Sequence, residues 1–399
     1  MPTLPGAGLP TMGSSLSYAA MDRKYAGFEF PQARVELNGK AFGDTQKTLI
    51  ISDVSVDLTS GFEASVARFR IYNAYDQGAG EYLFDAVKSQ AVLGALLKIY
   101  LGYMKELTHV FTGYVASVGF CYNGTDPPYI DVTGMDAKGA MMASSYAAQL
   151  TARSYGDAVK EILERAAYKK MKSAKILDAN AIQVTPTPDK TAGGNKASAE
   201  TIEIVSESDY EFIMKAAKKF NYEFFIDRGA ALFRKAKSNA TPLTALRVGE
   251  GLLTYDMNYS LTGMVETIEV RSMDAGAGKI VSSAEKYQKK LSTGNKAEPL
   301  LKSSKHVYID PTVFTQEQAD ARKASLMEQM SYRLGSVECE CIGLPDIVPG
   351  RFVDINVGAP GDNSFYITNV VHDLPSSGEF RTRLTGKADS LKTSIEPSV

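Results

Sequence analysis

From Ala26 to about Ser145, apolar and polar positions alternate with a period of two. In ARFRIYN, Ala67, Phe69 and Ile71 fall on one side and Arg68, Arg70 and Tyr72 on the other. LLKIYLG sets Leu97, Ile99 and Leu101 against Lys98 and Tyr100, and HVFTGYVASVGF and YIDVTGMD carry the alternation across the turn-forming CYNGTDPP. Half-buried strands at this spacing predict a small sandwich or barrel. The period then changes. Ser154 and Asp157 mark a helix start, with Ala158, Val159, Ile162, Leu163 and Ala166 as its apolar face. In SESDYEFIMKAAKKFNYEFFIDRGAALFRK, Ser208 and Glu211 form a capping box, and Tyr210, Ile213, Ala217 and Phe220 supply a helical stripe. Tyr222, Phe224 and Ile226 then alternate into the turn DRGA and a partner strand, so the middle of the chain reads as α+β.

Strands return in LLTYDMNYSL and VETIEVRSM. The following stretch, AGAGKIVSSAEKYQKKLSTGNKAEPLLKSSKH, carries seven lysines against two glutamates and reads as a solvated loop. A last helix is predicted from the capping box Thr315/Gln318 and the stripe Leu326, Met327, Met330 and Leu334. The expected organisation is a flexible arm over 1–26, a first barrel over 27–145 and an α+β unit over 146–240. A second barrel over 241–390 follows, with a loop and helix insertion at about 274–335, then a tail over 391–399. The fold class is mainly β with α+β insertions: two tube-like β-barrel domains joined by an α+β middle domain.

The two barrels echo each other. GALLKIYLG (Gly94 to Gly102) and GRFVDINVG (Gly350 to Gly358) share end glycines, and Leu96, Leu97, Ile99 and Leu101 match Phe352, Val353, Ile355 and Val357. Each is followed by an aromatic-led strand, VFTGYVASV or FYITNVVHD, and by a closing strand, YIDVTGMDA or FRTRLTGKAD. Four shared elements in one order indicate a duplicated unit. Val348-Pro349-Gly350-Arg351 places Pro and Gly as a type II turn requires.

Composition narrows the chemistry. The 399 residues carry 44 basic and 46 acidic side chains, which gives no general reason to expect nucleic acid or an anionic membrane as partner. No apolar run approaches a membrane span, the N-terminus lacks the pattern of a signal peptide, and three cysteines do not make a disulfide framework. A soluble protein made in a reducing cytoplasm is expected. His109, His306 and His372 lack the spacing of a zinc helix. No phosphate-binding loop or G-x-S-x-G elbow occurs, and a pair of hydrolytic carboxylates from distant strands would leave no local signature. Cys339 and Cys341 share one strand face without further ligands nearby, so they read as small core residues. No catalytic, cofactor or metal site is expected.

Two segments carry a family resemblance. SESDYEFIMKAAKKFNYEFFI, with Asp209 and Phe212, resembles the S-D-x-x-F helix and G-Y-x-F strand of phage late control D proteins, Asn221 replacing the usual Gly. GLPDIVPGRFVDINV…FYITNVVHDLPSSGEFRTRLTG resembles that family's Pro-Gly turn (Pro349, Gly350) and its V-x-H strand with His372, followed by Gly378, Phe380 and Thr382. HVFTGYVASVGF, with Gly113, is similar to the F-T-G strand of its first barrel. The resemblance implies a baseplate hub of contractile tails and related injection systems, similar to the N-terminal part of type VI secretion spike proteins. A homotrimer would then offer six barrels to a sixfold tail tube and a threefold face to a central spike, as a non-enzymatic protein of the virion or injection particle. The chain ends near Val399 without a module resembling a spike or a lysozyme, so a separate spike protein and other baseplate components are the expected partners. The alternatives are a β-rich hydrolase of cell-wall or capsule carbohydrate, or a carbohydrate-binding protein.

Overall fold

A computed structural model describes residues 15–42, 49–83, 92–125, 127–187, 202–274, 278–287, 297–311, 313, 315–358 and 362–391. The chain is mainly β, and its largest sheet runs through both halves. The first half supplies β1 (Pro31–Leu37), β2 (Lys40–Ala41), β3 (Ile50–Thr59), β4 (Val66–Tyr72), β5 (Tyr75–Asp76), β6 (Glu81–Tyr82), β7 (Leu96–Tyr103), β8 (Glu106–Cys121) and β9 (Tyr129–Met135). Six of these bond in the order β1-β7-β8-β9-β4-β3. Val56, Phe69, Ile71, Leu97, Ile99, Leu101 and Val132 point inward and are fully buried, as the alternation predicts.

The middle unit contains β10 (Tyr146–Leu150), β11 (Gln183–Val184), β12 (Ile202–Glu207), β13 (Tyr222–Asp227) and β14 (Ala230–Lys235). Its helix Asp209–Phe220 begins with the Ser208/Glu211 capping box and ends at Asn221 in the left-handed conformation, φ 55°. That position explains how Asn stands where the resembling family has Gly. The helix at Ser154 stops at Leu163, and Ala166, expected on its buried face, is exposed at the start of a second helix, Ala166–Ser173. β13 is buried on both faces, so the alternation of Tyr222, Phe224 and Ile226 understates its burial.

The second half follows with β15 (Pro242–Val248), β16 (Gly251–Tyr259), β17 (Thr267–Asp274), β18 (Lys279–Lys286), β19 (Lys305–Ile309), β20 (Gly335–Ile342), β21 (Phe352–Asn356), β22 (Asn363–Leu374) and β23 (Arg381–Ala388). The ladder β15-β21-β22-β23-β20-β16 returns to β15 and closes a six-stranded barrel. Its strand order repeats that of β1-β7-β8-β9-β4-β3, element by element. The registers repeat as well. Leu96↔Tyr114 and Leu97↔Gly113 have their counterparts in Phe352↔Tyr366 and Val353↔Phe365. The shift between Val115 and Ser117 recurs between Ile367 and Asn369, and that between Ser52 and Ser55 recurs between Leu252 and Thr254. The amides of Gly94 and Gly350 each donate 2.8 Å to equivalent carbonyls, Val115 and Ile367, with φ 82° and 79°. The duplication inferred from the glycine echo is therefore a duplication of structure.

The copies differ in their first strand. β1 runs antiparallel to β7, whereas β15 runs parallel to β21 and closes its barrel on β16. Between β1 and β3 lies a cleft of about 620 Å³ lined by Ala33, Val35, Phe42, Leu49 and Ile51 among others. β3 pairs along Val54–Thr59 with Leu374–Asn369 of β22. One long strand thus serves both units.

Two expectations are corrected. Residues 15–26 belong to no arm: Ser17 caps a helix, Tyr18–Lys24, whose Met21 is buried together with the following Tyr25. The Lys24 ammonium donates 2.8 Å to Asp346, which also receives the Tyr25 hydroxyl at 2.6 Å. Residues 1–14 of the expected arm lie outside the described residues. Part of the lysine-rich stretch is a strand, not a loop: β18 pairs with β17 along its full length, and β19 joins the same sheet. Helix Gln316–Ser331 covers the other face with Leu326, Met327 and Met330. Lysines 289, 290 and 296 of that stretch lie outside the described residues.

Candidate assembly interface

The ten motif residues do not converge on a pocket. Asp209 opens the middle helix and gathers three partners: the Tyr146 hydroxyl, Arg165 Nη1 at 2.5 Å and the Tyr168 hydroxyl at 2.6 Å. It staples a strand and a second helix to the helix it begins. Phe212 is buried one turn later and stacks on Tyr155 at 6.1 Å. Pro349 and Gly350 form the expected turn, and the Gly350 carbonyl accepts from Arg234 Nη2 at 2.6 Å. Arg234 Nε also donates 2.8 Å to Glu223, whose other oxygen receives the Tyr366 hydroxyl. Burial holds the Glu223 carboxyl above the usual carboxylate range, against the pull of Arg234. This cluster ties the α+β unit to the second barrel.

His372 is fully buried. Leu344 N–H donates to Thr382 Oγ1 at 2.9 Å, the Thr382 hydroxyl donates to His372 Nδ1 at 2.9 Å, and Nε2–H donates to the Ile347 carbonyl at 3.2 Å. Burial lowers its pKa to about 4, so it is a neutral structural bridge. Gly113 lies where a Cβ would stand 2.1 Å from the Met135 carbonyl, and Gly102 where it would stand 2.0 Å from that of Glu106. Gly94, Gly358 and Gly378 adopt positive φ with open space around them. Cys339 and Cys341 both face the core, and burial pushes the Cys339 thiol up to about 12. No pattern in the sequence marks Lys138, a fully buried ammonium that donates 3.1 Å to the Thr59 carbonyl beside Asp136. Among the described residues no cluster of three metal-ligating side chains occurs, and no helix is long and apolar enough to cross a membrane.

Surfaces carry more information than pockets. The sheet β9-β4-β3-β22-β23-β20-β16 presents one continuous outer face across both units. Its charges are exchanged between equivalent positions. Arg68 and Arg70 oppose Thr133 and Asp131 in the first unit; Glu338 and Glu340 oppose Thr385 and Arg383 in the second. Arg70 lies 3.3 Å from Asp53 and 3.8 Å from Asp131, and Arg383 pairs with Asp373. At the two ends of this face, among the described residues, no strand pairs with the second edge of Ser117–Cys121 in β8 or of Leu253–Tyr259 in β16. The sheet of β17, β18 and β19 has its own exposed face with Met273, Ile280 and Ile309.

No curated protein matches the chain significantly. Among solved structures it is similar to a tail protein from Neisseria meningitidis, with TM-score 0.63 and 12% identity over 90% of this chain and 97% of that one. It is also similar to the 43 kDa tail protein of prophage MuSo2 from Shewanella oneidensis, with TM-score 0.61 and 13% identity over 89% and 98%. A third likeness is to an E. coli component of the type VI secretion system, itself described as structurally similar to the bacteriophage T4 tail proteins gp27 and gp5. There the TM-score is 0.54 and the identity 10%, over 91% of this chain and 79% of that one. At such identities the likeness establishes the fold, which is that of tail proteins. Residues 67–376, well over half of the chain, match the family model described as the Alg8 N-terminal domain, and the chain belongs to that family.

Proposed function

We propose that this chain is a structural tail or baseplate hub of the late control D kind, in which three copies form a ring of six nearly equivalent barrel units. The observation that carries the reading is the repetition of one six-strand order, with the shift at Val115/Ser117 recurring at Ile367/Asn369, in both halves of the chain. Two like units per chain let a threefold assembly offer a sixfold surface, the geometry needed between a tail tube and a threefold spike. The likeness to tail and secretion proteins supports this role. The charged outer face, with Arg68, Arg70, Asp131, Glu338 and Arg383, suits a hydrated channel wall better than a dry contact. The role needs no catalysis. Its partners are a tail tube protein, a separate spike and neighbouring baseplate proteins, and its place is the tail baseplate or injection particle.

Light scattering on the purified chain and electron microscopy of the assembled particle test the reading. Three times the chain mass and a ring of six similar lobes are expected. A persistent monomer, or a lone two-lobed particle, refutes it; release of sugar from peptidoglycan by the purified chain would favour a hydrolase.

A further inference from the structure

The junction of β3 with β22 inside the chain has an unfilled counterpart. By the shared registers, Val54–Thr59 of β3 corresponds to Tyr255–Ser260 of β16, because Ser55↔Arg68 and Val56↔Ala67 match Asp256↔Glu338 and Met257↔Val337. Asn369–Leu374 of β22 corresponds to Ser117–Tyr122 of β8, because Asn369↔Thr385 and Val371↔Arg383 match Ser117↔Thr133 and Gly119↔Asp131. Within the chain the first segment of each kind is joined to the other unit: Asn369 lies opposite Thr59 and Leu374 opposite Val54. Among the described residues, the second segment of each kind is an open strand edge.

Burial separates the joined edges from the open ones. His372 is 0% exposed, whereas its counterpart Phe120, resting against Tyr82 at 4.9 Å between ring centres, is 51% exposed. Leu374 is 9% exposed and its counterpart Tyr122 is 70%; Val54 is 3% exposed and its counterpart Tyr255 is 47%. Neither open segment carries the lysines or prolines that blunt edges against pairing. Among the described residues, each has an edge that no strand pairs with, beside exposed aromatic rings. The occupant with the matching edge, register and side chains is a second copy of this chain.

We propose that copies join head to tail by antiparallel strand pairing, Ser117–Tyr122 of one copy against Tyr255–Ser260 of the next. The register is that of the internal junction: Cys121 faces the partner subunit's Asp256, Gly119 faces the partner subunit's Asn258, and Tyr122 faces the partner subunit's Tyr255. Phe120 and the partner subunit's Met257 turn inward, where His372 and Val56 lie at the internal junction. The contact is heterologous, so it closes into a ring only at a fixed number of copies. It rests on the three-copy reading for that number, not for the pairing itself.

Native Cys121 supplies half of a cross-link test. Asp256→Cys places a thiol directly opposite it, on the exposed outer face, within the Cα separation that a disulfide requires. Ser260→Cys, four residues along the same strand edge, is out of reach. Assembled full-length protein is oxidised with copper phenanthroline and run on a non-reducing gel, after circular dichroism shows each variant folded. Asp256→Cys is expected to give covalent trimers, lost in the Asp256→Cys/Cys121→Ser double variant, and at least about tenfold more cross-link than Ser260→Cys. Oligomers that form without this cross-link, or that cross-link equally through Ser260→Cys, overturn the proposed pairing and leave the hub reading standing. Covalent ladders beyond three copies keep the pairing and overturn the three-copy ring. A protein that stays monomeric at every concentration overturns both.

Discussion

Replacing Arg234 by Met tests what joins the α+β unit to the second barrel. The substitution keeps the aliphatic stem but removes the donors to Glu223 at 2.8 Å and to the Gly350 carbonyl at 2.6 Å. Both charged side chains are about nine-tenths buried, at 10% and 9% side-chain exposure, so solvent cannot replace the lost partner. Leaving one member of a buried pair alone costs about 3–5 kcal/mol, and we expect Arg234→Met to fall in that range at pH 8. Nearby Lys237, whose ammonium lies 5.3 Å from the Tyr366 ring centre, offsets only part of it. Burial already raises the Glu223 carboxyl, and without Arg234 it takes up a proton more readily. A carboxyl with a raised folded pKa favours the fold below its unfolded value and loses that contribution as pH rises through the folded one. The cost of Arg234→Met must therefore shrink between pH 8 and pH 5. Glu223→Gln/Arg234→Met, which removes both charges but keeps an acceptor for Tyr366, should recover at least about 2 kcal/mol of the single variant's loss. Urea unfolding of the wild type, Glu223→Gln, Arg234→Met and the double variant at both pH values measures this cycle. A cost of Arg234→Met below about 1 kcal/mol at pH 8, or a double variant worse than the single, would refute the role assigned to the pair.

Burial lowers His372 to about 4 from an ordinary 6.5, so between these values the unfolded chain binds the extra proton and stability falls as pH falls. The full loss below pH 4 is about 3 kcal/mol at 1.36 kcal/mol per unit; His372→Gln should remove that share of the pH dependence of the unfolding midpoint and leave the share of His109, which burial also lowers to about 4. Gly113→Ala drives a methyl to 2.1 Å from the Met135 carbonyl and should cost more than about 2 kcal/mol, whereas Gly94→Ala meets no neighbour within 4 Å and bears only the strain of φ 82°, about 1 kcal/mol. Thermal midpoints of the two variants check the order. Of the three free thiols, Cys121 alone should react with a disulfide reagent in the folded, unassembled chain, and Cys339 and Cys341 only after denaturation.

What could be read from the sequence was local or repeated. Capping boxes at Ser208 and Thr315 are short-range chemistry, and both form as expected. The echo of Gly94–Gly102 in Gly350–Gly358 survives because both segments turn at a positive-φ glycine and then alternate into a buried wall. The Tyr18–Lys24 helix escaped because seven residues carry little periodicity, and its place is set by Tyr25, Thr108 and Asp346 from three regions of the chain. β18 escaped because its outer face mixes exposed Ile280, Ser282, Ala284 and Lys286, while its inner face sets only partly buried Val281 and buried Ser283 against the helix beneath. The pairing of β3 with β22 could not be read at all. It joins residues more than 300 positions apart, and neither strand differs in pattern from its neighbours.

That unreadable junction accounts for how the two units act as one body. β22 bonds to β23 along Tyr366–Asp373 on one edge, while its other edge serves β21 near Asn363–Tyr366 and β3 from Asn369 to Leu374. A rotation of one unit against the other would break the β3 ladder together with the side-chain bonds across it, Ser55 to Asp373 and Asn369 to Asp57. Tyr103 reaches the Gly343 carbonyl at 2.9 Å, and Lys24 and Tyr25 clamp Asp346, so the units are fixed at points well off the shared strand too. Two rigidly related units present a constant angle to whatever binds them. The adaptor role proposed above needs such constancy, because an error at one junction would be repeated around a closed ring.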